Sequence, residues 1–489
     1  MTPVSTPKQC DLECDVLVIG AGATGLPAAI AVAEAGFKPL LLEARPKAGG
    51  SLAMVVGSFV VPGCDEQKAA GIKDSPDLCY NDLIRVCESD PEIARAYVDN
   101  VYSVYKILKE EGIVWPGLVD LPGQSATRAL GWLLGYGPKI VACFQKRLDK
   151  LGVKTLYRHR GHRLTVDPAT GRVNGAIVLD GEKKKFIKAK MGVILGTGGF
   201  LHNPEMVGEY DPSMLKAIPK MPVSHQGDGH KMAFELGAAT KDIGIAVAGS
   251  WPLCTETHSR CIWALDWGGI MVNKFAKRFY NEGSVEGFYG YMTRAAMNQP
   301  DGVYFVILDG QVENEIGTCK IGGEISRNME HVKDLEQCKK QYASTPEELA
   351  KKLGLDPAAF AATIAKYNGD IEKYGYDTEF QRKFQKGEAR PLHTLKAPLI
   401  GIRAVTATTS AKGGIKINGK CQVINQFGEA IPGLYAGGEL TGGLWHKSYL
   451  LGIMSSGCCT QGYLAGKNIV KEAAEIAASK KTVAAGAVR

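Results

Sequence analysis

The chain has thirteen cysteines but no CxxC pair and no CxxCH. That removes the usual thiol patterns for zinc, disulfide exchange and haem attachment. The N-terminal stretch MTPVSTPKQCDLEC lacks a basic-then-apolar leader. With an odd cysteine count, this points to a reducing, cytoplasmic setting in which thiols such as Cys458 and Cys459 are buried. No apolar run reaches the ~18 residues of a spanning helix; peripheral contact with a membrane stays open. The net charge is +7, but it forms no basic stripe with interleaved aromatics, which argues against nucleic acid as a partner. The densest run, Lys183, Lys184 and Lys185, lies between two strand-like segments and reads as a solvated hairpin.

What is present is glycine, 59 residues of it, clustered in short motifs. The 489 residues exceed one ordinary core, so two domains are expected, and 45% apolar with 22% charged residues is ordinary globular composition. DVLVI, residues 15–19, reads as a buried parallel strand. GAGATG follows with Gly20, Gly22 and Gly25, then the helix AAIAVAEAG, then the strand PLLLE ending at Glu43. Gly20 permits the tight turn, Gly22 lets N–H groups approach a pyrophosphate, and Gly25 lets helix and strand pack. The helix N-terminus favours the phosphates, and Glu43 is placed for a ribose. A lone GxGxxG can be a structural loop; here every surrounding part is in place.

Three further glycine turns suggest FAD rather than a nicotinamide cofactor. ARPKAGGS carries Gly49, Gly50 and Ser51; KAKMGVILGTGGF carries Thr197, Gly198 and Gly199; GEAIPGLYAGGE ends at Gly438 and Glu439. No second GxGxxG is present. The expected cofactor set also includes Ala23, Thr24, Ala44, Arg45, Gly161, Asp228 between its two glycines, and Ile453 and Met454 at the start of a terminal helix.

Residues 75–157 read mostly as helices, LTVDPATGRVNGAIVL as a strand pair, and residues 358–375 as a helix. The expected organisation is α/β: a Rossmann-like FAD-binding domain split into 1–250 and 395–489, with an α+β cap inserted at 251–394.

Taken together, DVLVIGAGATG, VILGTGGF, GDGHKMAFELGA, KRFYNEGS, GLYAGGELTGG and GYLAGKNIV resemble the soluble fumarate reductase and 3-ketosteroid dehydrogenase flavoprotein family. The resemblance covers nearly the whole chain. It implies substrate at the cap interface facing the flavin N5, and hydrogen added to or removed from adjacent carbons beside an electron-withdrawing group. The turn GSFVVPG lacks the histidine that carries covalent FAD in the respiratory complexes, so the resemblance implies noncovalent FAD.

Three basic positions of fumarate reductase-like members are absent. Ser410 in SAKGG stands at the histidine of an HTMGG-type segment, and Tyr449 in HKSYLLG at the arginine of a GxNRLGG-type segment. In KRFYNEGSVEGFYGYMTR, Glu286 stands near the third. Tyrosine cannot replace the bidentate arginine grip on a carboxylate. Ser448 and Tyr449 before Gly452 are similar to the 3-ketosteroid dehydrogenases, which implies that Tyr449 and a nearby backbone N–H polarise a ketone. Tyr289 and Tyr291 are then candidates to exchange the proton. The expected substrate is a hydrophobic, steroid-like ketone, with the electron partner unspecified. The LLG after Tyr449 matches neither the 1- nor the 4(5)-dehydrogenase pattern.

Plainer readings stand beside these. Tyr289 and Tyr291 in FYGYM also read as a packed aromatic turn. Arg278 can pair with Glu282. His446 reads equally as a relay or a surface residue, and Trp445 and Trp251 as pocket walls or core. His225 can reach the flavin or substrate, whereas His225 and His230 lack the partner set of a metal site. Tyr136 reads as core. Two rival functions remain: a carboxylate enzyme using Arg294 and Lys412 as cations, and an electron-passing subunit.

Overall fold

The structure is a computed structural model that describes residues 3–486, except 56, 122, 132–135, 244–250, 255–262, 284–290, 316–317, 322–323, 328–335, 337, 386–390, 409, 412, 447–449 and 451.

The first sheet grows from the apolar strand runs. Leu12–Ile19 (β1) leads into the helix Gly25–Glu34 (α1), and Pro39–Glu43 (β2) is buried along its whole length. The helical stretch follows as Pro91–Glu110 (α2) and Tyr136–Lys150 (α3), and the chain re-enters the sheet at Lys154–Tyr157 (β3). α2 starts where Asp90 accepts the Glu92 N–H at 3.1 Å, with Pro91 in the first turn. Its buried Ile93, Tyr97, Val101, Val104 and Leu108 recur every three or four residues, one face of the helix. His159–Val166 (β4) and Val173–Asp180 (β5) form the expected hairpin, and Lys183–Leu195 (β6) continues it.

β6 joins two kinds of sheet. Its first half pairs antiparallel with β5, whereas Gly192 to Leu195 run parallel to β1. The order continues through β2 to β3, all parallel. Lys183 and Lys184 are exposed at the β5–β6 turn, and Lys185 pairs with Asp180 at 2.6 Å, as expected of a solvated hairpin.

After the helix Asp228–Phe234 (α4), the chain builds a second, mainly antiparallel sheet. Its strands are Trp251–Cys254 (β7), Ile270–Asn273 (β8), Val303–Asp309 (β9) and Lys340–Ala343 (β10). Helices Pro346–Leu353 (α5) and Pro357–Tyr374 (α6) share a core with it through Leu349, Phe360, Ile364 and Ile307. The strand Leu399–Thr408 (β11) pairs with β7, β9 and β10. This sheet therefore extends past 394 on one side and reaches Ile218–Pro219 on the other. The run LIGIRAVTAT is buried at eight of its ten positions, which suits a strand flanked on both edges.

The chain then returns to the first sheet. Gln422–Ile424 (β12) pairs with Ala430–Ala436 (β13), and β13 lies parallel to the end of β6. The terminal helix, Ile453–Gly486 (α7), crosses α1 closely: a Cβ on Gly462 would sit 1.9 Å from the Thr24 carbonyl oxygen. Among the described residues no helix is long and apolar enough to cross a membrane.

Candidate functional site

Four glycine turns from distant parts of the chain converge at the start of α1. Gly20 has φ 105°, and a Cβ there would sit 2.3 Å from the Gly196 oxygen, so the first turn abuts the turn after β6. The Gly49 N–H donates to the Ala21 oxygen at 2.8 Å, which fixes the second turn. Gly438 has φ 77°, and its Cβ would lie 2.2 Å from Thr24 Oγ1. Its N–H donates to Gln461 Oε1 on α7 at 2.7 Å. Gly438→Ala combines left-handed strain with this collision, at about 1–3 kcal/mol. Bound FAD per polypeptide is expected to fall about tenfold at limiting cofactor, read from flavin absorbance of the purified variant.

The donors and acceptors left over fit FAD. A Cβ on Gly22 would meet only the Gly50 Cα, at 3.9 Å, so the first and second turns approach each other closely beside the N-terminus of α1. That terminus is a ready anion site for a pyrophosphate. Glu43 accepts the Ala21 N–H at 3.0 Å and the Arg45 N–H at 2.8 Å, one on each oxygen. Each oxygen keeps a lone pair for a ribose hydroxyl. Burial raises the Glu43 carboxyl above its usual range. Thr197 Oγ1 is buried, and no hydrogen-bond partner exists for it among the described residues.

Other expected cofactor residues take up structural positions. Asp228 opens α4, but its two oxygens receive Arg160 Nε and Nη2 at 2.7 and 2.8 Å. That bidentate pair ties β4 to α4, a contact not readable from sequence. A Cβ on Gly161 would lie 2.8 Å from Ile19 Cγ2, so this glycine serves strand packing. Ala44 is exposed, while Ala23 and Arg45 are half-buried. Ile453 and Met454 begin α7 as expected.

His225 sits inside this cradle. Its Nε2 is 3.2 Å from Ser51 Oγ, and its Nδ1 is 3.7 Å from Glu439 Oε2. Glu439 Oε1 accepts the Ala411 N–H at 3.0 Å. Burial pushes Glu439 up to about 7, His225 down to about 4 and His230 down to about 3. The unfolded chain protonates these histidines near 6.5, so between 6.5 and 4 it binds more protons than the folded one. Their contribution to stability is complete above 6.5 and is lost as pH falls through about 4. His225→Asn is expected to show a shallower fall in urea midpoint over that range than the wild type.

Ser410 is 1% exposed, and its hydroxyl donates to the Ala411 oxygen at 3.0 Å. Gly452 is buried beside Ser58, whose Oγ is buried and has no described partner. Ser58 was not singled out by sequence; it lies in GSFVVPG, at the turn without a histidine. Trp445 is in the core, and Tyr136 stacks on Trp115 with its hydroxyl donating to the Val114 oxygen. His446 Nδ1 lies 2.8 Å from Asp242. Tyr289, Ser448, Tyr449, Glu286 and Lys412 lie outside the described residues. The side chains of Tyr291, which opens the helix Tyr291–Met297, and of Trp251 also lie outside them.

Arg278 resolves clearly. It meets Glu282 at 2.7 Å and Asp377 at 2.7 Å, and Arg382 meets Glu282 at 3.3 Å. All four side chains are essentially fully buried, and the Arg278 guanidinium lies over Tyr367 and Phe380. Two cations and two anions balance inside this cluster. Among the described residues there is no group of three metal-ligating side chains.

Residues 15–455 match the FAD binding domain family. The chain is 27% identical to a probable fumarate reductase of Shewanella frigidimarina, over 94% of this chain and 75% of that protein. It is 26% identical to a 3-oxosteroid 1-dehydrogenase of Mycolicibacterium smegmatis, over 96% and 99%. A solved 3-ketosteroid-Δ4-(5α)-dehydrogenase from Rhodococcus jostii RHA1, in complex with 4-androstene-3,17-dione, superposes with a TM-score of 0.77. That match has 25% identity and covers 96% of this chain and 99% of the other. The glycine cradle, the Glu43 acceptors and the family match agree: the chain belongs to the FAD binding domain family and is an FAD-dependent oxidoreductase.

Proposed function

We propose that the enzyme exchanges hydrogen across a carbon–carbon bond next to the carbonyl of a hydrophobic, 3-ketosteroid-like substrate. The observation that carries this reading is the Arg278 cluster. The guanidinium at the start of KRFYNE is spent on Glu282 and Asp377, and Arg382 on Glu282. Neither is then available to grip a carboxylate. The sequence adds Ser410 and Tyr449 where a carboxylate enzyme would use basic side chains.

FAD would be held noncovalently by the four glycine turns, with Glu43 accepting from its ribose hydroxyls. When bound, it supplies hydride exchange at its ring N5. The chain's residues do the rest. Tyr449 donates its phenol O–H to the ketone oxygen, and the Gly452 N–H, at the start of α7, adds a second donor. Both act where negative charge develops as the α-carbon loses its proton. Tyr289 or Tyr291 exchanges that proton, which needs a phenol pKa below the usual ~10 for the base role.

A second reading, an unsaturated carboxylate, draws support from the slightly higher identity to the probable fumarate reductase and from Arg294, which is exposed on the helix after KRFYNE. Ligand titration of the oxidised holoenzyme separates the two. A 4-ene-3-ketosteroid is expected to perturb the flavin spectrum saturably, and succinate is not. Perturbation by succinate alone contradicts the ketone reading.

A further inference from the structure

Ser51, His225 and Glu439 lie in a line, and together they link three turns that are far apart in sequence. Ser51 belongs to the second glycine turn, Glu439 ends the fourth, and His225 precedes α4. The imidazole is wedged against the third turn, where a Cβ on Gly198 would lie 2.6 Å from Nε2. On the far side, a Cβ on Gly199 would lie within bonding reach of the Glu439 carboxylate. His225 is 4% exposed and Glu439 8%. His225 Nδ1 has no hydrogen bond within the described residues, yet it faces Glu439 Oε2 at 3.7 Å. A buried imidazole nitrogen left beside a buried carboxyl oxygen costs free energy unless a proton lies between them.

We propose that Ser51, His225 and Glu439 form a buried proton relay that moves one proton between Glu439 and the cofactor side of the second glycine turn. It rests on the FAD site and not on the choice of substrate. The two end states differ in tautomer. With Glu439 ionised, His225 carries its proton on Nδ1 facing the carboxylate, a hydrogen bond that forms once the 3.7 Å separation shortens, and Nε2 accepts the Ser51 O–H. With Glu439 protonated, the carboxyl O–H donates to Nδ1, and Nε2–H donates to Ser51 Oγ. Ser51 then has its own proton to offer toward the cofactor.

Delivery breaks the Glu439 O–H bond and forms Nδ1–H. It then breaks Nε2–H and forms a Ser51 O–H, as Ser51 passes its original proton to the cofactor side. The imidazole is neutral before and after, and no electrons move between these residues. Reduction of FAD makes the cofactor more basic and supplies the demand for the proton.

The neighbours favour such an exchange at neutral pH. Glu439 is raised to about 7 by burial, so both its forms are populated there, while His225, lowered to about 4, stays neutral. The charged and titratable groups around the pair are Arg45, His202 and His230 on the histidine side and Cys458 on the carboxyl side. Arg45 and His202 both disfavour imidazolium. His202 is tied to the Met221 oxygen at 2.7 Å, and the buried Cys458 thiol stays protonated, pushed up to about 12. The same carboxylate holds the Ala411 N–H, next to Ser410, so its protonation is also felt by the SAKGG loop.

The test is 15N NMR of histidine-labelled holoenzyme without substrate, titrated from mild acid to mild alkali. The His225 resonances, assigned by their loss in His225→Asn, are expected to invert from the Nε2–H to the Nδ1–H tautomer around pH 7. In Glu439→Gln the inversion is expected to vanish. A single His225 tautomer throughout the wild-type titration overturns the relay. So does an unchanged inversion in the Gln variant. Because FAD is counted by absorbance and no substrate is present, neither result bears on the ketone reading. In the wild type, the flavin midpoint potential against pH is expected to change slope at the same pH; a slope that stays constant through that pH also overturns the proposal.

Discussion

Replacing Tyr449 by phenylalanine is expected to lower kcat on a ketone substrate by about 10²–10³-fold while leaving FAD content unchanged. The change deletes one hydroxyl and keeps the ring. On the proposed mechanism this removes one donor to the ketone oxygen, worth about 3–4 kcal/mol in the transition state. For the proposed hydrophobic ketone, one lost hydroxyl is expected to move KM little. Equal turnover by Tyr449→Phe, checked by stopped-flow flavin reduction or reoxidation, removes Tyr449 from the chemistry. A Ser448→Ala variant, at the neighbouring position expected to bind substrate, is expected to act mainly on KM rather than kcat.

The second large effect is on stability. Arg278→Ala is expected to cost about 3–5 kcal/mol, since it leaves a net negative charge among buried Glu282, Asp377 and Arg382. It also removes the guanidinium packed over Tyr367 and Phe380. The thermal midpoint is expected to fall by several degrees, on the order of 2–4 °C per kcal/mol for a domain of this size. The double variant Arg278→Met, Glu282→Gln restores charge balance and is expected to recover part of the loss. A substrate-gripping Arg278 gives the opposite pattern: a normal midpoint with a raised KM. That split separates a structural arginine from a ligand.

The parts of the site legible in sequence are those set by local backbone demands. DVLVI, GAGATG, PLLLE and the later glycine turns each announce themselves, because a tight turn or a close approach leaves few residue choices. The strands and α1 fall where the apolar runs place them. The Arg278–Glu282 pair was also visible, four residues apart.

What escaped was set by distant partners. Nothing in GDG reveals that Arg160, 68 residues earlier, occupies the Asp228 carboxylate. His225 gains its meaning only from Ser51 and Glu439, which sequence offered as cofactor contacts and not as its neighbours. Asp377 and Arg382 complete the Arg278 cluster from far along the chain, Arg382 lying 100 residues after Glu282. The second sheet also recruits Leu399–Thr408, which the sequence assigns to the FAD-binding segment resuming at 395. Helix α7 shows in the sequence only as a terminal helix, yet Gly462 lets it close on Thr24 in the first glycine turn.

The ketone reading joins the buried Arg278 cluster with a serine and a tyrosine that the sequence puts where a carboxylate enzyme has basic residues. Its most direct test is anaerobic reoxidation of the chemically reduced holoenzyme. A 4-ene-3-ketosteroid or its 1,4-diene is expected to reoxidise the flavin quickly, while fumarate and cinnamate leave it reduced. Rapid reoxidation by fumarate, with no response to either steroid, contradicts the account.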